Sequence, residues 1–378
     1  MHYYRSPLAI GLVIVVLVLL GAGLAAWQFV SVKTTGSPLG PAVRTPTHIL
    51  QLIHTVERYL PRLHRPPGND RFRIDLLAIP IANPAQQKMF TLLRQQQANA
   101  VTPMTKILGA EGDVAWVQAL GLFAVNLRTG RIVSEMELRK LNPQLDLFLA
   151  SARVEFTDRC IAVSPDGSQA YAFTPETFTA TAVASPPRRS WMDERFADHL
   201  EGSLCSGGLI STNDWIAVVT EKDALNDFKT GFSLPRDFTA GEKDHARQLY
   251  RGQVDTNTSR PRITSSEHLS PTEYRAANFL RAKPGGAILR AGNPQSLFLL
   301  HRLGTGLFAS FTLTRISLDG QVLWAADTGL GRLQQVLPGT DSIVLIGERP
   351  PVPNQVSEPI LVVISVSTGN TQTISLWH

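Results

Sequence analysis

The chain has 378 residues, 43% of them hydrophobic and 18% charged, a composition that excludes wholesale disorder and suffices for a large core. Its 36 basic residues are nearly balanced by 31 acidic ones, which argues against nucleic-acid binding through bulk charge. Two cysteines cannot build a disulfide scaffold or a four-cysteine zinc site.

A short tail, residues 1–7, precedes the run LAIGLVIVVLVLLGAGLAAWQFVSV at 8–32, and no charge lies between Arg5 and Lys33. About 20 apolar residues cross a bilayer core, so this run predicts a transmembrane anchor with Trp27 and Phe29 at an interface. A cleaved signal peptide fits less well. The apolar region is too long, and Gly23-Leu24-Ala25 is a poor cleavage site. Arg5 on one flank against Lys33 and Arg44 on the other favours a cytoplasmic location for the large domain by the positive-inside count. The architecture argues for export, and the expectation is a single-pass protein of the inner membrane with its large domain periplasmic.

Residues 33–70 read as a linker followed by a juxtamembrane helix. KTTGSPLGPAVRTP is rich in Gly, Pro, Ser and Thr. In THILQLIHTVERYLPRL, Thr47 is placed to cap a helix, and Ile49, Leu52, Ile53, Val56 and Leu60 recur at three- and four-residue steps. His54, Arg58, Arg62 and Arg65 make the other side basic. Beyond residue 71 the period shortens. Phe72–Pro80 reads as a strand and Ala85–Gln97 as a helix. Short apolar runs then alternate with turn signals at Arg128-Thr129-Gly130, Ser164–Gly167, Thr174–Thr177, Thr212–Asp214, Asp319-Gly320 and Thr368-Gly369.

Gly130 and Thr177 are 47 residues apart, and Gly320 and Gly369 are 49 apart. A period of about 40 to 50 residues with several short strands is the mark of a β-propeller, whose small sheets bury their faces against one another. The expected fold is therefore all-β, a β-propeller over 71–378. Blade patterning is lost at 185–203 and 221–278, which read as irregular insertions on one face of the disc, where propellers commonly carry binding function.

LFAVNLRTGRIVS, RISLDGQVLWAADTG and LVVISVSTGNTQTISL resemble blades of the quinoprotein-like family, and IAVSPDGSQAYAF resembles the Ser-Pro-Asp-Gly turn of YVTN, TolB and WD40-like blades. The likeness covers about 100 residues of clear blade text. It implies a propeller of about five to seven blades, and with the anchor it resembles membrane-anchored bacterial envelope proteins. The family's adjacent cysteine pair is missing, and its calcium ligands have no counterpart that can be placed in this chain, so no cofactor is expected.

No phosphate loop, nucleophile elbow or His-Glu-x-x-His motif occurs, so no catalytic or metal residue is expected. Cys160 and Cys205 lie about one repeat apart. They either face one another across adjacent blades as a disulfide or are two buried thiols. The insertions are Arg-rich. Arg188, Arg189, Arg195, Arg247 and Arg251, with His245 and His268, are the candidate ligand or partner face, because guanidinium groups hold carboxylates and phosphates bidentately. The function expected from these features is a membrane-anchored binding or scaffold propeller of the cell envelope, attached through 8–32, with a protein partner and no nucleic acid. The alternatives are a quinone-dependent dehydrogenase-like or other propeller enzyme, and a single-span sensor.

Overall fold

The computed structural model describes residues 32–59, 71–95, 105–184, 203–220, 246–255, 262–283, 285–303, 309–352 and 355–377. The predicted anchor therefore lies outside the described residues, apart from Val32. Among the described residues no helix is long and apolar enough to cross a membrane.

The molecule is mostly β-sheet, and its strands are antiparallel meanders. Sheet I holds β1 (Val32–Arg44), β2 (His48–Tyr59), β3 (Arg71–Pro80) and β4 (Lys88–Gln95). Sheet II holds β5 (Lys106–Glu111), β6 (Val114–Gln118), β7 (Leu122–Asn126) and β8 (Ile132–Ser134). Two short helices, α1 (Glu135–Leu141) and α2 (Asp146–Ser151), lead to sheet III: β9 (Arg153–Phe156), β10 (Cys160–Val163), β11 (Ala170–Phe173) and β12 (Ala180–Val183).

A nine-stranded sheet follows, and it divides into two units. After β13 (Leu204–Cys205), which pairs with the end of β17, sheet IV comprises β14 (Gly207–Leu209), β15 (Asp214–Val219), β16 (Ala246–Asp255) and the first part of β17 (Arg262–Leu280). The end of β17 then joins sheet V with β18 (Arg290–Ala291), β19 (Ser296–Arg302), β20 (Phe311–Ser317) and β21 (Val322–Asp327). The handover occurs at Arg275, which pairs with Ala246 of β16 and with Arg302 of β19. Ala276 beside it has φ +49°, a left-handed conformation that bends the strand. Sheet VI holds β22 (Arg332–Leu337), β23 (Ser342–Glu348), β24 (Pro359–Ser365) and β25 (Thr371–Ser375).

Apolar clusters join these units face to face in the order III, II, I, VI, V, IV. Trp116 and Leu122 of sheet II pack with Cys160 and Phe173 of III, and Ile107 and Val117 of II pack with Leu50 and Phe72 of I. Ile49 and Ile53 of I meet Val344 and Leu361 of VI, so the first sheet packs on the last. Leu345 and Val362 of VI meet Phe298 and Leu313 of V, and Leu297 and Ile316 of V meet Ile216 and Leu249 of IV. The remaining faces of III (Ile161, Val163) and IV (Trp215, Ala217) are buried too, each in a cluster of its own. Repeated four-stranded units packed in series are consistent with a β-propeller.

Sheets I and VI are joined by more than apolar contact. The Ala42 N–H donates to Gln335 Oε1 at 2.8 Å, and Gln335 Nε2 donates back to the Ala42 carbonyl at 2.8 Å. Arg44 donates to the Ser342 carbonyl and hydroxyl, each at 2.9 Å.

Three sequence expectations are corrected. Residues 32–44 form β1 where a linker was expected, and residues 48–59 form β2 where a helix was expected. β2 is buried on both sides, with Leu50 and Leu52 toward sheet II and Ile49 and Ile53 toward sheet VI. A strand buried on both faces has a continuous apolar run, and that run also satisfies helical spacing. Pro38 and Pro41 are tolerated because β1 has a single strand neighbour, so its edge needs no donor there. The helix expected at 85–97 is a single 3₁₀ turn (Pro84–Gln86) followed by β4, whose Phe90 and Leu92 pack toward sheet II. Phe72–Pro80 is a strand as read, and every turn signal within the described residues lies between consecutive strands or at a strand's start. Of the insertion placed at 221–278, residues 246–255 and 262–278 are strand; its connecting part, 220–245, joins β15 to β16.

Candidate binding face

Antiparallel meanders put alternate connections at opposite ends of each sheet. Contacts between neighbouring sheets show that the sheets share one orientation. Lys88 at the start of β4 donates to the Leu127 carbonyl after β7 at 3.5 Å. The Arg131 guanidinium, just before β8, lies 5.4 Å from the centre of the Phe178 ring, between β11 and β12. Arg44 reaches the β22–β23 turn, Trp324 Nε1 donates to the Val366 carbonyl after β24 at 3.1 Å, and Arg251 of sheet IV pairs with Asp319 of the β20–β21 turn at 3.3 Å. All these contacts bring together the ends where strands one and two, or three and four, are joined. They define a turn face, and the opposite ends define a loop face.

The two faces differ in chain length and in chemistry. On the turn face most connections are short, for example 112–113, 157–159 and 338–341, and the longest, 281–295, joins the end of β17 to β19 and contains β18. The loop face carries the connections 60–70, 96–105, 184–203, 220–245, 303–310 and 349–358, and the α1–α2 connection leaves and returns there. β1 and β2, 13 and 12 residues long against 6 and 7 for β22 and β23, run past their neighbours on this face.

Several exposed large apolar side chains lie on the same face, while Met89, Leu209, Val322 and Leu323 are exposed at the turn-side ends of β4, β14 and β21. Leu120 lies between β6 and β7, Leu303 between β19 and β20, Val352 and Val356 between β23 and β24, and Trp377 beyond β25. Leu303 is 79% exposed, Val356 80% and Met136 65%. Leu120 is held out by its backbone. Its φ is +53°, an uncommon conformation for a residue with a branched side chain, and such outliers concentrate at functional sites. Behind it, Glu135 accepts from the Leu122 N–H at 3.0 Å and pairs with Arg139. Between α1 and α2 lies an open groove of about 540 Å³ lined by Glu135, Met136, Arg139, Lys140, Pro143 and Asp146. Ser134 and Glu137 cap α1 reciprocally. That Ser-x-x-Glu box was legible in the sequence, and it marks the helix the sequence reading passed over.

The residues predicted for the partner face separate. Arg188, Arg189, Arg195 and His245 lie outside the described residues. Arg247 is a correction: it is 1% exposed, and its Nη1 donates to the Ala277 carbonyl at 2.9 Å beside the bend in β17, so it is a core residue. Arg251 is half-buried between Asp214 at 3.5 Å and Asp319 at 3.3 Å. Its charge serves the joint between sheets IV and V. His268 is exposed, with its ring 5.2 Å from Tyr250.

Cys160 and Cys205 are both buried free thiols, and they belong to separate core clusters. The disulfide alternative is thus not the one the structure adopts. Burial, and secondarily Glu111, pushes the Cys160 thiol well above its ordinary pKa, the opposite of what a nucleophilic thiol needs. The Ser-Pro-Asp-Gly turn is formed as read. Asp166 accepts from Ser164 and Ser168, and these bonds hold its carboxyl at about 2.

One buried polar group stands out on β19, beside the bend of β17. His301 is 3% exposed, its Nε2 bonds to Thr314 Oγ1 at 2.7 Å, its Nδ1 has no hydrogen-bond partner, and Tyr274 packs edge-on with ring centres 5.0 Å apart. Desolvation lowers its pKa to about 4, so the ring is neutral at physiological pH. Among the described residues no group of three or more His, Cys, Asp or Glu is arranged to hold a metal ion.

No known protein family and no curated protein matches the sequence. Among solved structures, the chain is similar to the β-propeller domain of the Trilobed protease from Pyrococcus furiosus, at 8% identity and a TM-score of 0.28 over 91% of this chain and 96% of that one. It is also similar to a putative 6-phosphogluconolactonase from Bacteroides fragilis, at 10% identity and a TM-score of 0.26 over 92% and 95%. A third is a putative 6-phosphogluconolactonase from Bacteroides uniformis, at 8% and 0.24 over 91% and 96%. With superpositions this loose, the grounds for the fold are the sheets and their contacts.

Proposed function

We propose that the chain is a membrane-anchored binding scaffold of the cell envelope. Residues 8–32 tether it to the inner membrane, the sheets lie on the periplasmic side, and the loop face holds the partner. The quinoprotein-like and YVTN-type character of its blade motifs belongs to this proposal and supports the exported side. The observation that carries the binding role is a difference between the faces: mostly short connections, several bonded across sheet boundaries, on one, and longer connections with the most exposed apolar side chains, among them Met136, Leu303 and Val356, on the other. Apolar side chains gathered on one face of a rigid body mark interaction surfaces.

Photo-reactive residues introduced singly at Leu120, Leu303 or Val356, and at Thr129 or Thr368 on the turn face, test this in native membranes. The expected result is adducts from the loop-face positions only. Adducts from Thr129 and Thr368 alone, or equally from both faces, would remove the loop face as the binding surface.

A further inference from the structure

We infer that the surface held by the loop face is the lipid bilayer itself. The inference rests on the proposed anchor at 8–32, and it names the partner of the face described above. β1 begins at Val32, where the uncharged apolar run ends, and Val32 pairs with Tyr59 at the loop-face end of sheet I. No linker separates the run from the sheet, because residues 33–44, rich in Gly, Pro and Thr, are committed to β1. A span that continues directly into a strand end fixes which face of the ring turns toward the membrane. The turn face, at the Arg44 end of the same strand, is directed away.

The chemistry of the loop face suits that position. Its exposed side chains come from separate elements: Leu120, Met136, Leu303, Val352, Val356 and Trp377. Leucine, valine, methionine and tryptophan on loops are the residues that enter the headgroup boundary, and Trp is favoured at that depth. A protein partner recognised at one point needs no such spread around the ring, whereas a planar lipid surface contacts all of these elements at once.

The test uses the full chain in vesicles of phosphatidylcholine and phosphatidylglycerol. Single cysteines replace Leu303 or Val356 on the loop face, or Thr129 or Thr368 on the turn face, and carry a polarity-sensitive fluorophore; the native thiols are buried. A quencher is attached to the lipid headgroup. Quenching at least threefold stronger at both loop-face positions than at both turn-face positions is expected, together with co-flotation of chain and vesicles. Equal quenching on the two faces with co-flotation would leave the anchor standing and overturn the apposition. Failure to co-float would overturn both. Loop-face photo-adducts in native membranes that contain protein and no lipid would overturn the lipid assignment while keeping the binding face.

Discussion

The turn face and the loop face are built from the same strands, yet they spend their polar and apolar groups in opposite ways. On the turn face, Arg44, Gln335, Arg251 and Trp324 are bonded across sheet boundaries, so each connection also fastens one sheet to the next. On the loop face, Leu303 and Val356 stand in solvent, although burying a side chain of that size would be worth about 1.5–3 kcal/mol. One face maintains the ring, and the other is free to meet something else. Substitutions on the two faces, and in the core between them, should therefore separate stability from binding.

The largest effect is expected in the core, away from both faces. Trp116→Ala empties a site between sheets II and III where the indole packs on Phe173 and Phe178, at 5.3 and 6.3 Å between ring centres. It should cost about 3–5 kcal/mol in a denaturant titration. His301 should give a pH signature of nearly that size. Above pH 6.5 the ring is neutral in both folded and unfolded chains and contributes no pH dependence. Between 6.5 and about 4 the unfolded chain binds a proton that the folded chain refuses, so stability falls with pH, by at most about 3 kcal/mol. His301→Gln should flatten that limb of the stability–pH curve; an unchanged slope would reject the assignment.

Arg44→Ala tests the joint between the first and last sheets. It removes the donors to Ser342 and should cost about 1–3 kcal/mol, read as a lowered melting temperature. Asp319→Ala loosens an exposed pair with Arg251 and should cost less than about 1 kcal/mol, shrinking further in high salt. Leu303→Ser and Val356→Ser should fall within about 0.5 kcal/mol of the parent. Their effect belongs to binding, and a large loss of stability from either would show that the loop face is part of the core.

Much of this arrangement was legible in the sequence, and what was missed has a physical cause. Tight turns announce themselves, because Gly130, Gly320 and Gly369 all need φ near +75 to +80° and supply the spacing of the repeat. Sheet I was hidden because β2 is buried on both sides and its apolar run fits a helix equally well. The boundary between sheets IV and V was hidden because β17 passes from one to the other without a turn residue, bending at Ala276. The candidate face was sought in the insertions at 185–203 and 221–278, and the exposed apolar residues of the loop face lie outside both segments. Arginine was taken as the signal, whereas Arg247 and Arg251 serve internal joints. The exposed leucines and valines could not be told from core residues, since exposure depends on which neighbours the fold brings.

Hydrogen exchange, read by mass spectrometry on the full chain in its native membrane and again after transfer to detergent, tests the division between the faces most directly. Slower exchange in the membrane is predicted at 119–122, 303–310 and 349–358, with 127–131, 318–321 and 366–370 unchanged. Protection confined to the turn-face segments, or spread equally over both sets, would contradict it.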